Sequence, residues 1–123
     1  MMFTLIIFLK VGVPMISYNS KNYVCHIDLG MELIRGKWKA VILCHLNDGP
    51  KRFLELQRIT CGVSQKVLNE KLHELQRDGL ILKTVYPEVP PKVEFLLTEV
   101  GKELFPALQM IQDWSIKYFP NTN

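Results

Sequence analysis

Residues 62–97 read GVSQKVLNEKLHELQRDGLILKTVYPEVPPKVEFLL, a helical pattern followed by two β-rich runs that flank a proline-rich loop. Ser64 is a good N-cap candidate, because its hydroxyl can accept from an unpaired backbone N–H in the first helical turn. At about 100° per residue, Leu68, Leu72 and Leu75 converge on one side of the helix that follows. The pattern therefore predicts an amphipathic helix with one packed face and one solvent-exposed face.

The pattern changes after Gly79, where residues 80–86 and 93–97 are rich in residues that favour β-strands. Residues 87–92, PEVPPK, connect the two predicted strands and contain three prolines. Because proline fixes its own φ angle, this connection is incompatible with a tight two-residue turn. The sequence therefore predicts a stiff projecting loop between two strands, the element called a wing.

Three shorter helical segments precede this region, and one long helix follows it. The first runs from Asp28 to Ile34, and the second has Trp38, Val41, Ile42 and His45 or Leu46 at helical spacing. The third spans Arg52–Arg58, and the last runs from a Thr98 cap to about Phe119. This order predicts an α+β, mainly α, fold: a winged helix-turn-helix with a two-stranded wing and a long C-terminal dimerisation helix.

The composition is that of a small globular protein, with 48% hydrophobic and 22% charged residues in a chain of 123. These fractions exclude a disordered chain and a membrane bundle. The formal net charge is only +3, but residues 51–92 alone carry eight basic and five acidic side chains. The whole excess of positive charge therefore lies in the predicted helix-turn-helix and wing, which favours an anionic partner at this segment.

The exposed face of the predicted helix carries side chains suited to reading double-stranded DNA. In a helix-turn-helix, the second helix enters the major groove by its N-terminal half. Gln65 and Asn69 can pair with adenine edges, and Lys66 can reach guanine acceptors or a phosphate. The predicted DNA-binding residues, some of which would hold phosphates, are Lys51, Arg52, Ser64, Gln65, Lys66, Asn69, His73 and Lys92.

Two other classes of function suit the sequence less well. A winged-helix module that binds protein and not DNA would carry an acidic or apolar recognition face, and Lys66 and Asn69 argue against that. A small enzyme would need a nucleophile–base pair, a phosphate-binding glycine loop or a carboxylate pair, and none is recognisable. No catalytic residue, cofactor or metal site is predicted.

Several short motifs are more specific than the order of elements. They are LIRGKWK at 33–39, GP with RF and EL at 49–56, GVSQKVL at 62–68, and YPEVPPKVEF at 86–95 followed by LT at 97–98 and Gly101. Together they resemble the HxlR-type transcriptional regulators of bacteria and archaea, over Cys25–Trp114, with departures at Arg35 and Asn69. The resemblance implies a small cytoplasmic homodimer that is not an enzyme and that binds a pseudo-palindromic DNA site.

An apolar stripe on the last helix suits a dimer surface. Because one recognition helix makes few base contacts, a two-fold dimer gains affinity by placing a second helix about 34 Å away, one turn along the duplex. We expect the stripe to serve both the core of the domain and the contact with a second copy. The predicted interface residues are Leu29, Leu33, Leu104, Leu108, Ile111 and Trp114.

The three cysteines differ in their surroundings. The family resemblance implies that Cys25, thirteen residues before Trp38, is a candidate sensor of oxidants or small electrophiles, with an inert thiol as the alternative. It precedes a predicted helix, whose N-terminal dipole favours the reactive thiolate. Cys44 is expected in the core, and Cys61, in a turn, is a second candidate. Without CxxC spacing or a ligand quartet, neither a disulfide scaffold nor structural zinc is indicated.

Residues 1–16, MMFTLIIFLKVGVPMI, form an apolar run that superficially resembles a signal peptide. Its basic residue follows the run, no small-residue cleavage site comes after it, and it is too short to span a bilayer as a helix. We therefore expect a cytoplasmic protein without membrane attachment. Residues 1–20 are assigned to an N-terminal extension or arm, with Met15 as an alternative initiator, and residues 21–119 to the winged-helix domain.

Overall fold

The structure is a computed structural model that describes residues 15–121. Most of the predicted arm, residues 1–14, therefore lies outside the described residues. The chain forms two compact units, one that ends at Ile34 and one that begins at Arg35.

The first unit contains a hairpin of two short strands, β1 (Ile16–Tyr18) and β2 (Lys21–Tyr23), paired antiparallel. Asn19 and Ser20 connect them with φ angles of 50° and 64°. Two successive residues in this left-handed region match the right-handed twist of a hairpin, and asparagine is among the residues that tolerate it. The turn, more than the strands, therefore specifies the hairpin.

Helix α1 (His26–Leu33) follows, and it begins two residues before the predicted start at Asp28. Cys25 is its N-cap residue, and the Cys25 carbonyl accepts from Leu29 N at 3.1 Å. The Asp28 carboxylate accepts from Val24 N at 2.9 Å and so satisfies a backbone donor at the helix entrance. Cys25 thus lies at the start of the helix itself.

The second unit contains the remaining helices and strands of the described chain. Their bounds are α2 Lys39–Leu46, α3 Phe53–Ile59, α4 Gln65–Arg77, β3 Ile81–Tyr86, β4 Lys92–Leu97 and α5 Glu99–Tyr118. The predicted α+β winged helix-turn-helix is confirmed, because α3 and α4 form the helix-turn-helix and residues 87–91 form the wing tip between β3 and β4.

The turn between α3 and α4 depends on Gly62. Its φ of +93° lies in the left-handed region that residues with a Cβ avoid. Ser64 then caps α4 as predicted, since its hydroxyl accepts from Val67 N at 3.1 Å. The three leucines on the inner face of α4 are almost completely buried. The predicted amphipathic helix is therefore confirmed.

The core of this unit draws on all of its helices and strands. Its buried side chains include Ile42, Leu43, Leu46, Leu56, Leu68, Leu72, Leu75, Ile81, Phe95, Leu97 and Leu108. Burial of one such large side chain stabilises the fold by about 2 kcal/mol. Of the apolar residues at helical spacing in α2, Ile42 and Leu46 are buried and Val41 is exposed, while Leu43 is buried in addition. Since α2 begins at Lys39, its buried face passes through positions 39, 42, 43 and 46, and Val41 falls outside it.

The wing strands pair antiparallel, with Ile81 opposite Leu97 and Tyr86 opposite Lys92. Lys51 extends this sheet, because its backbone N–H donates to the Phe95 carbonyl at 2.9 Å and its carbonyl accepts from Phe95 N at 2.8 Å. This bridge ties the segment between α2 and α3 to the wing. The base of the wing is thereby held, while the tip at residues 87–91 is exposed.

Thr98 joins the end of the wing to α5. Its hydroxyl donates to the Gly79 carbonyl at 2.7 Å and accepts from Gly101 N at 3.1 Å, so it caps the helix as predicted. A Cβ atom at position 101 would collide with the carbonyl of Leu80. The first turn of α5 therefore packs directly on the backbone that follows α4.

Candidate nucleic-acid interface

The outward face of α4 is polar and open to solvent. Gln65, Lys66, Asn69 and His73 are all exposed, and so is the capping residue Ser64. Amide side chains can pair with two groups of an adenine edge, and lysine can reach guanine acceptors or phosphate. The structure thus brings the predicted base-reading side chains together on the helix that a helix-turn-helix directs at the major groove.

Two of these residues also have partners within α4. The Ser64 oxygen accepts from Val67 N, so this residue sets the start of the helix. His73 Nδ1 lies 2.8 Å from the Asn69 carbonyl oxygen. Because a carbonyl only accepts, Nδ1 donates in this contact, and Nε2 remains for an external partner.

Lys51 and Lys92 are already engaged by the chain. Lys51 Nζ donates to the Asp48 carboxylate at 2.9 Å, and this hydrogen bond, together with the lysine charge, lowers the pKa of Asp48. Lys92 Nζ lies 5.0 Å from the ring centre of Tyr86 and 3.7 Å from Glu94 Oε2. At either lysine, a phosphate would compete with a carboxylate.

Four other basic side chains in residues 51–92 are exposed and form no ion pair with any described residue: Arg52, Arg58, Lys66 and Lys83. Arg58 and Lys83 are absent from the predicted set. Glu55 stands three residues before Arg58, a spacing that favours a helical ion pair, but the two side chains do not form one. The exposed basic side chains without an ion pair to a described residue are therefore not the same set as the predicted DNA-binding lysines and arginines.

Helix α4 also carries a carboxylate with two lysine partners. Glu74 Oε1 lies 3.2 Å from Lys39 Nζ, and Glu74 Oε2 lies 3.0 Å from Lys71 Nζ. Burial raises the pKa of Glu74, but hydrogen bonds from Lys71 and Lys39 outweigh it and bring the pKa below its ordinary value. Lys39 is buried at the start of α2, so this ion pair links α2 to the recognition helix.

The C-terminal half of α5 exposes a group of large apolar side chains, which we call the α5 cluster: Ile111, Trp114, Tyr118 and Phe119. Trp114 is 57% exposed, and its ring centre lies 6.2 Å from that of Tyr118 and 5.5 Å from that of Phe119. Contiguous apolar surface of this kind is typical of interaction sites.

The other predicted interface residues are less accessible. Leu108 belongs to the core of the second unit, and Leu104 is half-buried. In the first unit, Leu29 and Leu33 are half-buried as well. Ile111 and Trp114 are therefore the most exposed of the predicted interface residues, and Tyr118 and Phe119 of the α5 cluster lie outside the predicted set.

All three cysteines are free thiols. Cys25 and Cys44 are half-buried, and Cys61 is exposed in the turn after α3. Burial raises the pKa of the Cys44 thiol, which disfavours its thiolate form. Cys25 is the N-cap residue of α1.

The described residues offer no site for a metal and no membrane span. Among residues 15–121, no three His, Cys, Asp or Glu side chains group together in a way that could hold a metal ion. The pairs Cys25–His26 and Cys44–His45 thus lack further ligands within this part of the chain. No helix in the same range is long and apolar enough to cross a membrane.

The chain is similar to known proteins over most of its length. Residues 33–123 match the sequence profile of the HxlR-like helix-turn-helix family. The chain belongs to this family. YdeP of Bacillus subtilis (strain 168), an uncharacterized HTH-type transcriptional regulator, is 43% identical over 104 residues, which cover 84% of this chain and 81% of YdeP. The resemblance inferred from the motifs is thereby confirmed.

Solved structures of two regulators have a similar fold. The redox regulator HypR in its reduced form has a TM-score of 0.73 at 39% identity, over 76% of this chain and 92% of HypR. The quinone-bound form of YodB from B. subtilis has a TM-score of 0.66 at 30% identity, over 76% of this chain and 98% of YodB. This HxlR-like chain thus shares its winged-helix architecture with regulators solved in defined redox or ligand-bound forms.

Proposed function

We propose that this HxlR-like protein is a cytoplasmic homodimer that binds a pseudo-palindromic DNA site through α4 and responds to oxidants or small electrophiles through Cys25. The observation that carries DNA binding is the exposed face of α4, where amide and lysine side chains suited to base edges lie together. A helix-turn-helix regulator needs such a face, because base contacts supply its sequence specificity.

The DNA-contacting residues have distinct roles in this proposal. Gln65 and Asn69 read base edges, and Lys66 contacts either a guanine or a phosphate. Phosphate contacts position the domain without reading sequence, and Arg52 suits that role because it is exposed and forms no ion pair with any described residue. Arg58 and Lys83 are also proposed to contact phosphates, because they too are exposed and form no ion pair with a described residue. Lys51 and Lys92 contribute less, because each is paired with an acidic side chain.

Dimerisation supplies the second recognition helix. The α5 cluster is exposed in the single chain, and a second copy would remove its apolar area from water. A two-fold dimer buries the same patch from both protomers, so one self-complementary surface is sufficient. The C-terminal half of α5 is therefore the proposed centre of the interface.

The proposed response to oxidants rests on the position of Cys25 and on the redox and quinone-bound forms of HypR and YodB. A cysteine thiolate adds to a quinone ring carbon while the ring takes up a proton. An oxidant such as diamide instead accepts two electrons and two protons from two thiols, which then form a disulfide. The quinone adduct and the disulfide would each alter the N-terminus of α1. The same helix carries the predicted interface residues Leu29 and Leu33.

The decisive experiment selects duplexes from a random-sequence library with the wild-type protein and measures their retardation at several salt concentrations. We expect one enriched sequence with two-fold symmetry and an affinity that falls as salt rises. The triple variant Gln65→Ala, Lys66→Ala, Asn69→Ala should remain folded but lose preference for that sequence. The control Lys102→Ala removes an exposed lysine from α5 and should keep the preference for the selected sequence.

Two outcomes contradict the proposal. A wild-type protein that enriches no sequence would fit a winged-helix module that binds protein instead of DNA. A triple variant that keeps its sequence preference would place the base-reading residues elsewhere in the chain.

A further inference from the structure

Lys39 is a buried charge in the second unit. Its side chain is 5% exposed, although it is the first residue of α2 and its ammonium group must be kept paired. Its partner is Glu74 of α4, at 3.2 Å. The other oxygen of Glu74 receives Lys71, at 3.0 Å, so one carboxylate serves two lysines.

Stability alone does not require this arrangement. A cation at the first position of a helix lies near the positive end of the helix dipole, which is unfavourable. Removing an ion pair from water costs about as much as the pair returns, and apolar residues of similar size often do as well or better. Two lysines on one carboxylate also leave a net positive charge. The pair therefore needs another explanation.

Geometry supplies that explanation. Helix α2 packs on α4, and the buried contacts of both helices are otherwise aliphatic. Aliphatic packing is non-directional, whereas a hydrogen-bonded ion pair between a buried lysine and a half-buried glutamate is satisfied in one arrangement and costly when broken. Glu74 directly follows His73 on the recognition helix, and both of its oxygens are held. The Lys39–Glu74 ion pair thus restrains the rotation of α4 about its axis relative to the first residue of α2.

We propose that Lys39 is a positioning residue for DNA recognition, which acts through Glu74 to set the face of α4 that meets the base edges. This inference rests on the proposed function. It assigns no DNA contact to Lys39, because its ammonium group is buried. It predicts that loss of the ion pair weakens discrimination between sequences more than it weakens binding to DNA in general.

The test is Lys39→Met, which keeps the length of the side chain and removes its charge. We expect a folded protein whose affinity for the selected duplex falls about tenfold, the size of one poorly matched base pair, with binding to a scrambled duplex changed less than about twofold. The salt dependence should keep its slope, because that slope counts phosphate contacts. An equal loss on both duplexes would overturn the proposal.

The matched control is Lys71→Met. This substitution also removes a lysine charge that pairs with Glu74. It leaves the link between α2 and α4 intact, since Lys71 and Glu74 lie on one helix. We expect its ratio of selected to scrambled affinity to equal that of the wild type. A loss as large as that of Lys39→Met would show that charge near Glu74, and not the link, is responsible.

Two further measurements keep the result interpretable. If Lys39→Met does not fold, the double variant Lys39→Met, Glu74→Leu replaces the pair by apolar side chains and should show the same loss of discrimination. Hydrogen exchange in the free protein should be faster at α4 amides in Lys39→Met and unchanged in α5. Unchanged exchange in α4 would overturn the proposal even if the wild type selects no duplex, an outcome that separately contradicts the proposed function.

Discussion

Lys39 Nζ lies 3.2 Å from Glu74 Oε1 and joins the first residue of α2 to the recognition helix. Burial raises the pKa of Glu74, yet the hydrogen bonds from Lys71 and Lys39 lower it below the ordinary value of 4.5. A carboxyl group with a depressed pKa in the folded state stabilises the fold above its unfolded pKa. That contribution is lost as the pH falls through the folded pKa.

The first prediction concerns Glu74→Gln, which leaves Lys39 buried without its carboxylate. We expect the variant to be less stable than the wild type at pH 7 by about 2 kcal/mol. The difference should begin to shrink below the ordinary glutamate pKa of 4.5, where the unfolded chain takes up the proton, and should be lost as the pH falls through the lower folded pKa, where the wild type loses the same charge. Thermal unfolding from pH 7 to pH 3 measures it.

The control for this variant is Glu70→Gln, on the same helix. Glu70 is exposed and forms no ion pair with a described residue, so its substitution should change stability by less than about 0.5 kcal/mol. A stability difference for Glu74→Gln that stays constant across the whole pH range would contradict the role of the ionised carboxylate.

The second prediction compares two glycines in helices. Gly101→Ala places a Cβ against the carbonyl of Leu80 and should destabilise the protein by about 2 kcal/mol, since the backbone must move. Gly30→Ala in α1 meets no atom within 4 Å and should stabilise by about 0.5–1 kcal/mol, because alanine is the better helix former. Equal effects of the two substitutions in urea unfolding would contradict the close approach at Gly101.

Much of the fold is predictable from local signals. Ser64 and Thr98 are caps with hydroxyl acceptors, the leucines of α4 recur at helical spacing, and the prolines of residues 87–91 forbid a tight turn. The hairpin at residues 16–23 is not predictable in this way. Its strands are only three residues long, and it depends on a turn with two left-handed residues, neither of which is glycine.

The candidate site is predictable in the same uneven way. Helical periodicity places Gln65, Lys66 and Asn69 on an exposed face, because that requires only the direction of the buried leucines. Which cations are neutralised depends on side chains that the fold brings together. The pair of Lys39 and Glu74 is the clearest case, since their separation along the chain leaves no periodic signal.

The third prediction applies one substitution to two threonines. The Thr60 hydroxyl is buried and has no hydrogen-bond partner among the described residues, so Thr60→Val should be neutral or should stabilise by up to about 1 kcal/mol. The Thr98 hydroxyl donates to the Gly79 carbonyl and caps α5, so Thr98→Val should cost about 1–2 kcal/mol. Denaturant unfolding of both variants measures the two changes in stability. A clear loss of stability in Thr60→Val would reveal a hydrogen-bond partner for that hydroxyl.

The fourth prediction concerns the proposed dimer. Trp114→Lys introduces a charge into the α5 cluster and should convert the protein to monomers at micromolar concentration, as measured by light scattering, because a buried unpaired charge opposes association. Val89→Lys makes the same change at the exposed wing tip and should leave the dimer intact. A dimeric Trp114→Lys protein would place the interface elsewhere.

The last prediction tests Cys25. Treatment with diamide or a quinone should change the retardation of the selected duplex by the wild-type protein, and a reductant should reverse the effect of diamide but not that of a quinone adduct. Cys25→Ser removes the thiol of the N-cap residue of α1 and should abolish the responses to diamide and to the quinone. Cys61→Ser is the matched control, because Cys61 is the more exposed thiol and would react first if exposure alone decided reactivity. Retention of the response in Cys25→Ser with its loss in Cys61→Ser would therefore assign the sensor to the turn after α3.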